Sequence, residues 1–201
     1  MKRVKGTTGL TQLECINPNK NRWSIRFDIQ PNEEDSAAGV NYWEETLDHE
    51  PTLLEVKAIV SQGVDSYDAS DEISDFSIGG VSMWLDKTAR TGLALTITTL
   101  LSNIEATIRN SSTELSEAEI LAAIESQTAN ESVRLWSLTT PPVSFDLPVL
   151  QMQMALGTLE TYAKATYDQT QQHKATIYTL TTTEDVLTYN YRANYPPKIV
   201  L

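Results

Sequence analysis

The sequence predicts an α+β fold. A small N-terminal antiparallel sheet with one helix precedes a mainly helical domain that carries a β-hairpin and one long C-terminal helix. Three observations lead there. Residues 22–29 alternate apolar and polar with period two, the mark of a half-buried strand. Residues 93–108 repeat apolar side chains at threes and fours, as an amphipathic helix does. Residues 147–180 hold that helical spacing longer than any other stretch.

The N-terminal elements follow in order. In Arg22–Ile29, Trp23, Ile25, Phe27 and Ile29 fall on one side, and Arg22, Ser24, Arg26 and Asp28 on the other. The turn Asn17-Pro-Asn-Lys-Asn21 ahead of it makes Leu10–Ile16 the antiparallel partner. A polar loop, Asn32–Gly39, leads to a third strand over Val40–Leu47. Pro51–Val60 reads as a short helix, because Pro suits a first turn and Leu53, Leu54, Val56, Ile59 and Val60 form an apolar stripe. Gln62-Gly63 is expected to end it. Residues 65–75, acidic and small, read as a linker. The division is then a β-rich module over 1–64, an acidic linker over 65–75 and a second domain over 76–201.

In the second domain, Phe76–Leu85 reads as a hairpin turning at Gly79-Gly80, since glycines accept the positive φ of a two-residue turn. Asp86 is placed to cap the next helix, whose buried side is Leu93, Ile97, Leu100, Leu101, Ile104 and Ile108. Asn110-Ser-Ser breaks that helix. Ser116-Glu-Ala-Glu119 restarts one with a capping box, burying Ile120, Leu121 and Ile124. Val133–Leu138 is a short strand before Pro141-Pro142, and Trp84 and Trp136 are expected in the core. Along the long helix, Met152, Leu156, Leu159, Ala163, Thr166, Thr170, His173, Ile177 and Leu180 step by threes and fours. At 1.5 Å per residue it spans about 50 Å. Its Thr- and Gln-rich second half packs a polar seam or meets another chain. Thr183 caps a last short helix, and Tyr189–Pro197 leaves as an extended tail.

Charge narrows the function classes. The chain has a net charge of −12, and thirteen of its 27 acids but one of its 15 bases lie between Asn32 and Asp75. The remainder holds fourteen of each and is neutral. Phosphate backbones are bound through Lys and Arg, so free nucleic acid is not an expected partner. The acidic stretch is either a solvated surface or a docking face for a basic partner. No apolar run approaches the ~18 residues of a membrane span, and the basic N-terminus has no apolar stretch of a secretory signal behind it. A single Cys15 cannot form an internal disulfide.

Catalytic and metal chemistry find little footing. His49 sits in Asp48-His-Glu50 without a nucleophile motif, and His173 lies on the seam of the long helix, where a hydrogen-bonded structural role is expected. Asp65, Asp68, Asp71 and Glu72 supply carboxylates but lack the alternate-position order of a calcium loop. Glu44 and Glu45 are strand neighbours and point to opposite faces, which argues against a glycosidase pair. No cofactor is expected. Tyr189, Tyr191 and Tyr195 with Arg192 are the candidate interface, because tyrosines bury large area at low entropic cost. The competing reading is a tail strapped over its own domain.

Two tracts carry a resemblance. Ile78-Gly-Gly-Val-Ser-Met-Trp-Leu-Asp-Lys-Thr-Ala-Arg-Thr-Gly-Leu93 is one. Leu159-Glu-Thr-Tyr-Ala-Lys-Ala-Thr-Tyr-Asp-Gln-Thr-Gln-Gln-His-Lys-Ala175, followed by Leu180 to Tyr195-Pro-Pro, is the other. Together, over roughly residues 76–197, they resemble domain of unknown function 4376, a family of tailed-phage and prophage proteins often encoded near tail-fibre genes. The resemblance implies a setting and no chemistry. It implies a non-enzymatic virion component of the tail, fibre or host-recognition apparatus, binding other phage structural proteins or itself. The alternative is a tail-fibre assembly chaperone absent from the particle; a third reading, a cell-wall hydrolase, lacks the motifs. Neither a membrane nor a small-molecule substrate is expected, and the place of action is the virion or the host cytoplasm during assembly.

EDTA is expected to leave the melting temperature unchanged. A fall of several degrees, restored by Ca²⁺, would instead identify Asp65, Asp68, Asp71 and Glu72 as a site.

Overall fold

Strand formation in the N-terminal part follows the alternation of residues 22–29 and extends beyond it. The structure, a computed structural model, describes residues 1–32, 39–84, 87–111 and 115–200. Four strands, β1 (Lys2–Thr7), β2 (Leu13–Asn17), β3 (Arg22–Pro31) and β4 (Gly39–Leu47), form one antiparallel sheet in the order β1-β4-β3-β2. The Asn17–Asn21 turn is as expected: the Asn17 side chain accepts from the Lys20 amide at 3.2 Å, and Asn21 takes a left-handed conformation. Strand β1 escaped the pattern. Lys2, Arg3 and Lys5 give it no alternation, because it is an edge strand, and charge on an edge discourages pairing with other chains.

The period-two reading of β3 holds through Ile25 and Phe27, both buried, and then fails. Register with β4 shifts between Phe27 and Gln30, and Asp28 adopts φ 51°. This is a bulge, and a short polar residue tolerates the left-handed geometry it needs. Asp28 therefore turns inward, its side chain 3% exposed, where strict alternation would put it in solvent.

Helix α1 (Leu53–Asp68) starts at a capping box, with Thr52 and Glu55 bonding each other's backbone amides. It does not stop at Gly63. A Cβ built on Gly63 would lie 2.4 Å from the Phe27 ring, so glycine here permits close packing of helix on sheet. The expected linker is thereby corrected. Residues 65–68 form the last turn of α1, and Asp71–Ser74 form a short helix, α2.

The chain divides into two compact units, which departs from the expected boundaries. One comprises Met1–Ala69 with Tyr167–Tyr195, the other Ser70–Thr166 with Pro196–Leu201. The first needs its C-terminal piece to complete a core: Ile25 and Phe27, then Val56, Val60 and Val64, are closed over by Ile177, Val186, Leu187 and Tyr191.

The second unit contains β5 (Asp75–Ile78) and β6 (Val81–Trp84), joined at Gly79 and Gly80 with φ of 57° and 80°, as a two-residue turn requires. Asp86 lies outside the described residues. Helix α3 (Lys87–Ser111) turns inward the six apolar positions expected of it, and α4 (Glu117–Asn130) begins at the Ser116/Glu119 capping box. Leu121 is exposed, against expectation, and so is Trp136 at 58%. Trp136 ends β7 (Ser132–Trp136), paired with β8 (Ser144–Pro148) in a two-stranded ribbon. Helix α5 (Val149–Thr179) starts in this unit and ends in the other. Of its stepping seam, Met152, Leu156, Leu159, Thr166, Thr170, His173 and Ile177 are buried, and Ala163 and Leu180 are half-buried. Helix α6 (Thr183–Thr188) is capped by Thr182, one residue earlier than expected. Among the described residues, no helix is long and apolar enough to cross a membrane.

Gly63→Ala should lower stability, because overpacking costs ~1–3 kcal/mol and offsets the helix-propensity gain of ~1 kcal/mol. Gly157→Ala, on an exposed face of α5 with nothing within 4 Å, should raise it. Thermal melts of both variants check the contrast; two shifts of the same sign would contradict it.

Candidate functional site

The four residues singled out from the sequence are brought together in the first unit, and they face inward. Tyr191 is 1% exposed. Its ring packs between Phe27, at 6.5 Å between centroids, and Tyr67 of α1, at 6.0 Å edge-on. Tyr195 also meets Tyr67 edge-on, at 5.3 Å, and stacks on His173 of α5 at 5.5 Å. The interface expectation is corrected for Tyr191 alone, since Tyr189, Arg192 and Tyr195 are half-buried. These side chains strap the C-terminal segment over its own unit, and a fully buried ring has no surface to offer a partner.

Arg192 explains the bulge in β3. Its Nε donates to Asp28 Oδ1 at 2.7 Å and its Nη2 to Oδ2 at 2.9 Å, a two-pronged geometry, while its guanidinium carbon sits 4.5 Å over the Tyr67 ring. Arg3 of β1 adds Nη1 to Oδ2 at 2.6 Å, and Gln30 donates to Oδ1 at 3.0 Å. Burial pushes the Asp28 carboxyl up, but the bonds from Arg192, Arg3 and Gln30 prevail and hold it below the usual carboxylate range. Burial, and after it the same carboxylate, drives the Tyr191 hydroxyl upward.

His173 holds the other end of the strap. Its Nε2 lies 2.9 Å from both the Ala193 carbonyl and the Gln169 side-chain amide nitrogen. Its Nδ1 lies 2.8 Å from the Tyr189 hydroxyl. Burial pushes the imidazole below its ordinary pKa, partly opposed by the Ala193 bond. One turn back, Thr170 and the Tyr195 hydroxyl lie 2.8 Å apart, and burial pushes that phenol up to about 12. The polar half of α5 is thus a seam satisfied by the chain's own tail.

The remaining candidates find structural partners. Asp65 is held by Lys174 at 2.6 Å, Glu44 by Arg26 at 3.2 Å and Asp75 by Lys198 at 3.6 Å, so bases from elsewhere neutralise part of the acidic stretch. His49 bonds Glu55 at 2.8 Å; the Thr52 bonds and that contact lower Glu55 to about 2. Among the described residues, no group of three or more metal-binding side chains converges. A cleft of about 550 Å³ opens beside Asp28, with Leu10, Gln12, Gln30, Leu187 and Asn190 in its wall. Asp28 and Arg192, which bond each other, also line it.

Sequence reasoning missed Asp28, Arg3, Tyr67 and Gly63. Asp28 gave no signal, because it falls at an ordinary polar position of the alternation that Arg22, Ser24 and Arg26 begin. Comparisons with family models, curated proteins and solved structures return no match.

Tyr191→Ala should cost ~3–5 kcal/mol, the range for removing a buried aromatic ring, read as a drop in melting temperature. Unchanged melting would return Tyr191 to the role of an interface anchor. His173 predicts a pH dependence whose sign follows from its lowered pKa. The unfolded chain takes up the proton first, so stability is full above about pH 6.5 and falls as pH drops through that value. Melting should be lower at about pH 5.5 than at about pH 7.5, with a smaller difference in His173→Gln. The same difference in both proteins would contradict the assignment.

Proposed function

We propose that this chain is a non-enzymatic protein of a tailed phage or prophage, a structural or adaptor component of the virion that works by binding other proteins. The observation that carries the setting is the resemblance of residues 78–93 and 159–197 to domain of unknown function 4376. The geometry supports the non-catalytic part. Among the described residues, His173 and Asp28 are buried titratable groups whose nitrogens and oxygens are engaged by Tyr189, Ala193, Arg192, Arg3 and Gln30. Groups so saturated hold a fold together and have no free valence for a substrate.

Mass spectrometry of purified particles tests the reading. The account expects peptides of this chain in the particle, at a defined ratio to the tail proteins. Absence from particles, with co-purification on an unassembled fibre protein, would favour the assembly chaperone instead. Absence from both would overturn the phage assignment.

A further inference from the structure

Three stretches of the first unit that lie far apart in sequence meet around the cleft of about 550 Å³. They are the approach to β2, with Leu10 and Gln12, the β3 bulge at Asp28–Gln30, and the end of α6 with the first residues of the strap. The volume lies within the ~300–1,000 Å³ of small-molecule sites. Its charged lining residues, Asp28 and Arg192, are joined two-pronged at 2.7 and 2.9 Å. The lining therefore carries no net charge, and an ionic ligand would have to break that pair to gain one of its own.

Three of the remaining polar residues are amides, and the fold holds each of them by one end. Gln12 Nε2 donates to the Leu187 carbonyl at 2.9 Å, and Gln30 Nε2 donates to Asp28 Oδ1 at 3.0 Å. Asn190 Oδ1 accepts from the Arg192 backbone amide at 3.1 Å. Among the described residues, no protein group bonds the other ends, Gln12 Oε1, Gln30 Oε1 and Asn190 Nδ2. Two acceptors and one donor nitrogen thus remain, on side chains whose conformational cost the internal bonds have already met. Leu10, Ile29 and Leu187 add aliphatic surface to the same lining.

We propose that this cleft binds an uncharged, polyhydroxylated ligand, a single sugar ring, through Gln12, Gln30 and Asn190. Neutrality follows from the paired charges. A hydroxyl both donates and accepts, so one kind of group satisfies the two amide oxygens and the amide nitrogen alike. The C–H surface of a sugar ring matches the aliphatic side chains beside them. An acyl chain is a poor occupant, because it would cover the amide ends without replacing the hydrogen bonds they make to water. The site goes beyond the protein-binding reading and does not depend on it.

The test is a heteronuclear NMR titration of the full chain with glucose, galactose, mannose, rhamnose and N-acetylglucosamine, each into the millimolar range. At least one sugar should shift the side-chain amide signals of Gln12, Gln30 and Asn190 saturably. Asn190→Ala, at an exposed position, should weaken that binding about fivefold, the order of one lost hydrogen bond. Leu10→Trp, which adds bulk to the cleft wall and leaves the three amides in place, should abolish it. Gln171→Ala, an exposed amide on α5, should change nothing, and melting should be unaltered in all three. If one cleft variant melts low, the other carries the comparison. The methyl glycoside of the bound sugar separates two sources of such a ring: binding retained marks the end of a glycan, and binding lost marks a free sugar. No saturable shift with any sugar of the panel overturns the proposal, as does binding that survives both cleft variants. Stronger shifts of the same signals by glucuronate or triglycine than by every neutral sugar also overturn it, in favour of an anion or a peptide.

Discussion

Helix α1 approaches strand β3 so closely that the Phe27 ring occupies the space where a side chain at residue 63 would begin. That approach sets the geometry of the first unit. It seats Phe27 under the helix and leaves room for Tyr191, which arrives from the far end of the chain and completes the core. With Tyr191 in place, Tyr67 gains an edge-on partner and Arg192 is delivered over its ring. A larger residue at position 63 would lift the helix, and the strap would lose its floor.

The second constraint is electrostatic. A carboxylate buried as deeply as Asp28 is tolerated only when paired and hydrogen-bonded. The pairing here draws one arginine from β1 and another from the C-terminal segment, 164 residues along the chain from Asp28. Such a cluster contributes modest net stability, because desolvation offsets much of the attraction. Its larger effect is on uniqueness: the bulge, the edge strand and the strap each have one register in which the charges are satisfied.

The legible part of the fold was the part written in local periodicity. Strands β2 to β4, helices α3 and α4, and the seam of α5 all follow from spacings of two, three and four, and the Gly79-Gly80 turn from the φ it needs. The illegible part was set by distant partners. Strand β1 forms because β4 offers an edge, not because its lysines favour a strand. Gly63 looked like a helix stop because the usual meaning of glycine is freedom; its meaning here is space, which only Phe27 reveals. The tyrosines were recognised as anchors, but a tyrosine suits an interface and a core equally. Asp28 and His173 decide between the two, and neither advertises its partner in sequence. Trp136 failed in the opposite direction, since a tryptophan in a strand reads as core and this one is exposed.

The account stands or falls on the strap being one cooperative unit with the sheet. Native-state hydrogen exchange on the full chain measures this directly. The amides of Ile25 and Phe27 in β3 and of Val186 to Tyr191 should open with the same free energy, as residues of a single core do. Exchange of the C-terminal amides orders of magnitude faster than those of β3 would show a tail that merely rests on a sheet able to stand without it.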